Sequence, residues 1–236
     1  MDSIQIYNYY DNIVAISDSK RYIIKTGSSF YYPTEDVFFD VLDAREMKKV
    51  RTIRDNPFLA ILMYLSIIVS IVFYFIKASY VLIDTSFLTS LLILFFNIFI
   101  HECAHILVLK LFFPESRVKI GFKMVFIYPA FYVDTSYSYF LPKYKRIAVY
   151  TAGNAANSVF ILLTLAFFPQ LKGYLYLVIS NMLINFLPIV KSDGYYAVLS
   201  FFDIYAKARS KHATFVENFI RGMLMFIVLE LLSILL

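Results

Sequence analysis

Residues 58–76 form an uninterrupted run of 19 residues without a charged side chain. This run is close to the roughly 20 residues that an α-helix needs to cross a bilayer core. With 60% hydrophobic and 17% charged residues among 236, the chain carries more apolar surface than a soluble domain of its size buries. We therefore expect an α-helical polytopic membrane protein, whose transmembrane domain covers 57–236 with about five helices near 58–76, 86–113, 147–168, 174–190 and 215–236.

The first 56 residues have a more soluble composition. Short apolar runs at 13–16 and 22–24 are separated by polar residues, which predicts strands joined by a turn, and a loosely amphipathic stretch at 34–54 predicts a helix. We predict a small cytosolic α+β domain at 1–56. Residues 118–126 alternate between apolar and other side chains, which favours a membrane-associated β-hairpin between the second and third helices.

The distribution of lysine and arginine predicts the orientation of the chain. Of 22 such residues, eight precede residue 57, seven lie in 110–146 and five in 191–221, whereas only Lys77 and Lys172 lie in the other connections. By the positive-inside rule, the N-terminus is expected to be cytoplasmic and the C-terminus outside. Clustering of the cations beside apolar segments indicates a lipid bilayer as partner and argues against nucleic acid.

A zinc-binding pattern lies in the second apolar segment, which reads HisGluCysAlaHis at 101–105. On a helix, His101 and His105 lie one above the other and can bind one metal ion, while Glu102 lies beside them as a candidate general base. The chain has only three histidines, and ionisable residues are costly in a transmembrane helix, so a purely structural role is disfavoured. The predicted topology puts this site toward the cytoplasmic side.

A catalytic zinc usually has a third protein ligand and keeps one position open. Asp193 precedes Gly194 at the end of the fourth apolar segment, where a turn could direct its carboxylate toward the histidines, although an ordinary turn aspartate fits equally well. Asp134 is the next candidate. His212 lies in a basic run that is typical of a solvated face, and Cys103 would face away from the metal.

Three segments resemble, in order, the motifs of the site-2 protease family of intramembrane zinc metalloproteases. HisGluCysAlaHis at 101–105 resembles its first metal motif, AlaGlyAsnAlaAlaAsn at 152–157 its second motif, and AsnPheLeuProIleValLysSerAspGly at 185–194 its third. The segments 129–136 and 191–196 look most like the bacterial peptide zinc metalloproteases of peptide-maturation and export systems. The resemblance spans about half of the chain.

The resemblance implies that Asp193 is the third zinc ligand. It also implies that Asn157 and Asn185 position the substrate or polarise its carbonyl group near the metal. Two residues depart from the family pattern, because Asn154 stands where the family usually has proline and Ser192 where it usually has leucine. Neither departure removes a proposed ligand.

We therefore predict a zinc metalloendopeptidase that hydrolyses a membrane-embedded or membrane-associated peptide, with peptide-export or maturation proteins as partners. The alternative hypothesis is a non-hydrolytic immunity or export component with a structural zinc. A zinc transporter is disfavoured, because the other apolar segments lack ionisable residues spread along a path.

Overall fold

The N-terminal part of the chain folds into a five-stranded antiparallel sheet. In the computed structural model, which describes residues 2–43, 45–77, 86–125, 128–186 and 192–202, the strand order is β4-β3-β2-β1-β5. Gly27, with φ of +59°, supplies the left-handed residue of the tight turn between β3 and β4. The strands are β1 (Ser3–Tyr9), β2 (Asn12–Ser17), β3 (Tyr22–Thr26), β4 (Ser29–Tyr31) and β5 (Lys48–Arg54).

The two faces of this sheet bury different partners. Because successive side chains of a strand point to opposite faces, the neighbours Val14 and Ala15 enter different clusters. Val14 packs with Phe38 of the short helix α1 (Glu35–Val41). Ala15 belongs to a cluster shared with the helices, whose buried members are Ile4, Ile6, Ala15, Ile23, Ile53, Leu109, Phe113, Tyr137, Phe140, Leu141 and Val149.

Three long helices follow. They are α2 (Phe58–Lys77), α3 (Phe87–Phe112) and α4 (Lys143–Phe167), and by length and composition they are the three candidate membrane spans among the described residues. α4 lies between the other two and is largely buried, whereas α2 and α3 expose most of their apolar side chains. Phe87, for example, is 82% exposed. These outward faces suit an apolar surrounding such as a membrane.

Shorter elements complete the fold. Between α3 and α4, strands β6 (Ile120–Val125) and β7 (Tyr128–Val133) pair antiparallel, and a 3₁₀ turn at Ser136–Phe140 leads into α4. A second 3₁₀ turn at Pro169–Tyr174 precedes α5 (Leu175–Phe186), and α6 (Asp193–Phe201) ends the described chain.

The predicted fold class, an α-helical polytopic membrane protein with about five transmembrane helices, is wrong. The described chain is a mixed α and β fold, with a five-stranded antiparallel sheet and only three helices apolar and long enough to cross a membrane. In the apolar segment 174–190, α5 has 12 residues, which extend only about 18 Å, whereas a bilayer core is about 30 Å thick. The segment 215–236 lies outside the described residues.

The sheet and the helices are joined through a shared core and a helix cap. The cluster around Ala15 includes residues from both sides of the division predicted after residue 56. The division itself stays a prediction. In the connection between β5 and α2, the buried Asp55 accepts hydrogen bonds from the backbone amides of Tyr144 (3.1 Å) and Lys145 (3.3 Å). Asp55 therefore caps the first turn of α4.

Candidate metal centre

Helix α3 brings two imidazoles together. His101 and His105 are four residues apart, so their side chains lie on the same face of the helix, where both are buried against α4. Their Nε2 atoms are 3.2 Å apart. The geometry expected from the His-Glu-x-x-His spacing is therefore present on a long helix.

Helix α6 supplies a carboxylate to the same point. Asp193 is the first residue of α6, and its Oδ2 lies 2.9 Å from Nε2 of His101 and 3.2 Å from Nε2 of His105. Gly194 allows this approach, because a Cβ at that position would lie 2.0 Å from the backbone oxygen of Phe186 in α5. The side chain of Asp193 is 23% exposed, so the cluster is open on one side.

Helix α4 holds the other nitrogen of each imidazole. Nδ1 of His105 lies 2.7 Å from the backbone oxygen of Val149, and Nδ1 of His101 lies 3.2 Å from Nδ2 of Asn157. Gly153 faces the ring of His101, and a Cβ there would lie 2.4 Å from its Cε1 and Nε2 atoms. A glycine at this position is thus required for α4 to approach the ring.

The hydrogen-bond partners of His105 constrain where its protons can lie. A carbonyl oxygen only accepts hydrogen bonds, so Nδ1 of His105 carries the proton that it donates to Val149. In the neutral ring, Nε2 of His105 then presents a lone pair to Nε2 of His101 and to Oδ2 of Asp193. Two ring nitrogens and a carboxylate oxygen that converge on one point repel one another unless a proton or a metal ion lies among them.

The donor set fits zinc. The three ligand atoms are 2.9, 3.2 and 3.2 Å apart, and they are the group among the described residues that could hold a metal ion. Zinc bonds of about 2.0–2.2 Å at tetrahedral angles separate neighbouring ligand atoms by about 3.4 Å, so only a small expansion is needed. Two imidazoles and one carboxylate, with a fourth direction open, are a common ligand set of catalytic zinc.

The charges of the cluster favour an ionised carboxylate. Burial disfavours the charged form of Asp193, but protonated imidazoles at His105 and His101 outweigh it through charge and hydrogen bonds, and they hold the pKa of this carboxyl well below its usual range. Asp193 therefore presents an anionic oxygen, which is the form that binds a metal ion.

Glu102 lies beside this cluster without belonging to the ligand triad. Its carboxylate interacts electrostatically with all three proposed ligands, and it lies near the backbone amide of Val133 at the end of β7. The Glu102 side chain is half-buried rather than enclosed. A carboxylate held next to an open metal position is suitably placed for proton transfer.

The other predicted site residues have different surroundings. Asn157 is fully buried and contacts His101, while Asn185 is a half-buried residue on α5. Asp134 accepts hydrogen bonds from the backbone amide and the hydroxyl group of Ser136, which is an ordinary turn arrangement. Cys103 is a half-buried free thiol outside the ligand triad. His212 lies outside the described residues.

Sequence reasoning missed three contributors to this site. Asn97 lies one helical turn before His101, and its Nδ2 is 3.0 Å from Oδ1 of Asn157. The spacing of four between Asn97 and His101 in an otherwise apolar helix is a signal that could have been used. Gly153 lies in the motif-like segment 152–157, for which no close approach was predicted from sequence, and the carbonyl group of Val149 acts through backbone geometry, which no residue pattern specifies.

Comparison with known proteins supports a relationship to zinc metalloproteases. A protein of Bacillus subtilis (strain 168) named "Putative peptide zinc metalloprotease protein YydH" is 34% identical over 125 residues, which are 49% of this chain and 49% of that protein. The chain thus spans about half the length of this curated relative. No protein-family model matches the chain, and no solved structure matches it.

Proposed function

We propose that this protein is a zinc metalloendopeptidase of the site-2 type that hydrolyses a peptide bond in a membrane-associated peptide. The observation that carries the proposal is the convergence of Nε2 of His101, Nε2 of His105 and Oδ2 of Asp193 within 3.2 Å of one another, with the carboxylate of Glu102 beside them. The name of the Bacillus subtilis relative, "Putative peptide zinc metalloprotease protein YydH", supports a peptide as substrate.

Each residue has a defined part in this reaction. His101, His105 and Asp193 would hold zinc, which when bound supplies Lewis acidity that activates water and polarises a carbonyl group. Glu102 accepts one proton as the water oxygen attacks the carbonyl carbon of the substrate. It then gives that proton to the leaving nitrogen as the carbon–nitrogen bond breaks, so that a carboxyl group and an amine result.

The setting of the site favours a substrate at a membrane. α3 carries both histidines and Glu102, and it exposes apolar side chains along much of its length. A peptide that reaches Glu102 therefore passes apolar surface, which suits a hydrophobic or lipid-associated chain. Peptide-maturation or export proteins as partners, and an active centre facing the cytoplasm, follow from the sequence arguments and remain predictions.

A structural zinc is the competing reading, and the ligand count argues against it. Structural sites are usually closed by four protein ligands, whereas the described residues offer three. The half-buried Glu102 would also have no purpose at a closed site. A role without hydrolysis would tolerate the loss of this carboxylate.

The test compares the detergent-purified wild type with Glu102→Gln, Asp193→Ala and the control Glu115→Gln. Glu115 is a carboxylate outside the ligand triad that pairs with Arg51. We expect about one zinc per chain in the wild type, Glu102→Gln and Glu115→Gln, and much less in Asp193→Ala.

Cleavage is measured by mass spectrometry on a panel of short apolar peptides co-expressed with each variant. We expect products only with the wild type and Glu115→Gln. If the wild type holds no zinc, or if Glu102→Gln cleaves as well as the wild type, the proposed function is wrong. Zinc in the wild type together with unchanged cellular function of Glu102→Gln would favour the structural reading.

A further inference from the structure

The first metal ligand is connected to a buried pair of amides. Asn157 of α4 lies between His101 and Asn97, both of α3, at 3.2 Å from the first and 3.0 Å from the second. Asn97 and Asn157 are both 0% exposed. Two fully buried amides in an apolar helix pair are costly unless their hydrogen bonds are made, so their arrangement calls for a reason.

The proton on His101 determines how this pair must be oriented. Nε2 of His101 is the atom that faces Asp193 and His105, so a metal ion at the cluster requires that Nε2 carry no proton. The neutral ring then has its proton on Nδ1. The atom of Asn157 that faces Nδ1 must therefore accept a hydrogen bond, which the amide oxygen does and the amide nitrogen does not.

A half-turn of each amide group satisfies this requirement without moving any other atom. The oxygen of Asn157 then accepts the Nδ1 proton of His101 at 3.2 Å, and its nitrogen donates to the oxygen of Asn97 at 3.0 Å. Before the half-turn, Oδ1 of Asn97 is buried and has no hydrogen-bond donor among the described residues. The half-turn therefore breaks no hydrogen bond at that atom.

We propose that Asn97 and Asn157 are a positioning pair that keeps the proton of His101 on Nδ1 and its Nε2 directed at the metal. The proposal rests on the proposed function, and it gives Asn157 a role different from the substrate or oxyanion contact expected from sequence. A fully buried side chain whose amide is engaged on both sides has no surface to offer a substrate. His105 is held in the same way by the carbonyl group of Val149.

The chain offers a matched control for this pair. Asn154 is a second buried amide on α4, one helical turn before Asn157, and its Oδ1 has no partner among the described residues. We would compare Asn157→Ala with Asn154→Ala, since both remove one buried amide from the same helix. A loss of α4 packing affects both variants, whereas loss of the bond to His101 affects only the first.

Zinc affinity, measured by competition with a chromogenic chelator, is the main readout. We expect affinity to fall about 10- to 100-fold in Asn157→Ala, by a smaller factor of about tenfold or less in Asn97→Ala, and little in Asn154→Ala. Asn157→Asp is expected to retain binding, because its carboxylate accepts the Nδ1 proton. If Nδ1 were the acceptor instead, Asn157→Asp would place two lone pairs against each other and lose the metal.

A second readout follows the tautomer itself. The chain has only three histidines, so ¹⁵N-histidine labelling gives few imidazole signals. In the zinc-loaded wild type we expect a slowly exchanging Nδ1 proton on His101, which persists in Asn157→Asp and exchanges quickly in Asn157→Ala. A merely structural role of Asn157 would leave this signal unchanged.

The outcomes separate this inference from the proposed function. If the wild type holds no zinc, the proposed function fails and the positioning pair fails with it. If the wild type binds zinc and Asn157→Ala matches Asn154→Ala in affinity and in the Nδ1 signal, only the positioning pair is refuted. Loss of binding in Asn157→Asp would also overturn it.

Discussion

Replacing Gly153 by alanine tests how closely α4 must approach the first proposed metal ligand. In the structure, a Cβ at this position would lie 2.4 Å from Cε1 and Nε2 of His101, and ordinary contact begins at 3.4 Å. The difference, 3.4 − 2.4 = 1.0 Å, is the least distance by which the ring or the helix must move.

A displacement of this size exceeds what zinc tolerates. Ligand distances at a metal site hold to within about 0.2 Å, and the ring cannot swing freely because Asn157 and Asp193 lie against it. Loss of an outer hydrogen-bond partner alone costs about 10- to 100-fold in metal affinity. Misalignment of a ligand itself should cost more, so we expect Gly153→Ala to bind zinc more than about 100-fold more weakly than the wild type.

The assay is chelator competition on purified protein, with thermal unfolding as a check on the fold. Alanine is a better helix former than glycine by about 1 kcal/mol, so the substitution by itself favours α4. The control is Ala152→Gly, which weakens the helix but removes a methyl group instead of adding one. Wild-type zinc affinity in Gly153→Ala would refute the packing argument.

Three further predictions concern the metal, a close approach and a helix cap. Removal of metal by a chelator should lower the thermal unfolding temperature of the wild type and of Asp134→Ala but not that of Asp193→Ala, and equal shifts in all three would count against Asp193 as a ligand. Gly194→Ala should abolish zinc binding or folding, because its Cβ would lie 2.0 Å from the backbone oxygen of Phe186; a folded variant with normal zinc content would contradict this. Asp55→Ala should cost about 1 kcal/mol of stability through the lost cap, whereas Asp55→Asn should cost less, and denaturant unfolding of both variants measures the difference.

The local geometry of the site could be predicted from sequence because helical spacing determines it. A spacing of four residues places His101 above His105 on any regular helix, and α3 is regular there. α2 and α3 also begin and end within one residue of the apolar segments at 58–76 and 86–113. Apolar runs and helical periodicity are properties of residues close together in sequence, so they can be recognised without a tertiary structure.

Contacts between distant residues could not be predicted in the same way. Asp193 is 92 residues from His101 in the chain. From spacing alone, a role as metal ligand and a role as an ordinary turn residue are equally plausible for it. Its placement depends on Gly194 passing the backbone of Phe186, which is a matter of how two helices pack. The resemblance to a protease family indicated Asp193 where the residues alone did not.

The predicted fold class failed for a physical reason. Average hydropathy is dominated by long apolar segments, so the five short strands within 3–54 weighed little in the predicted fold class. The apolar composition of segment 174–190 also led to an overestimate of the length of its helix. The 12-residue α5 is apolar because its side chains pack against α2 and α4, and not because it crosses lipid.

The cap from Asp55 has a consequence for how the chain can be divided. The first turn of α4 contains Lys143, Lys145 and Arg146 and no acidic residue, an arrangement that opposes the helix dipole. A carboxylate from the connection before α2 therefore offsets this arrangement at the start of α4, and the same helix contacts both imidazoles of the proposed metal site. A truncated protein that starts after residue 56 is therefore expected to lose precision at the proposed metal site.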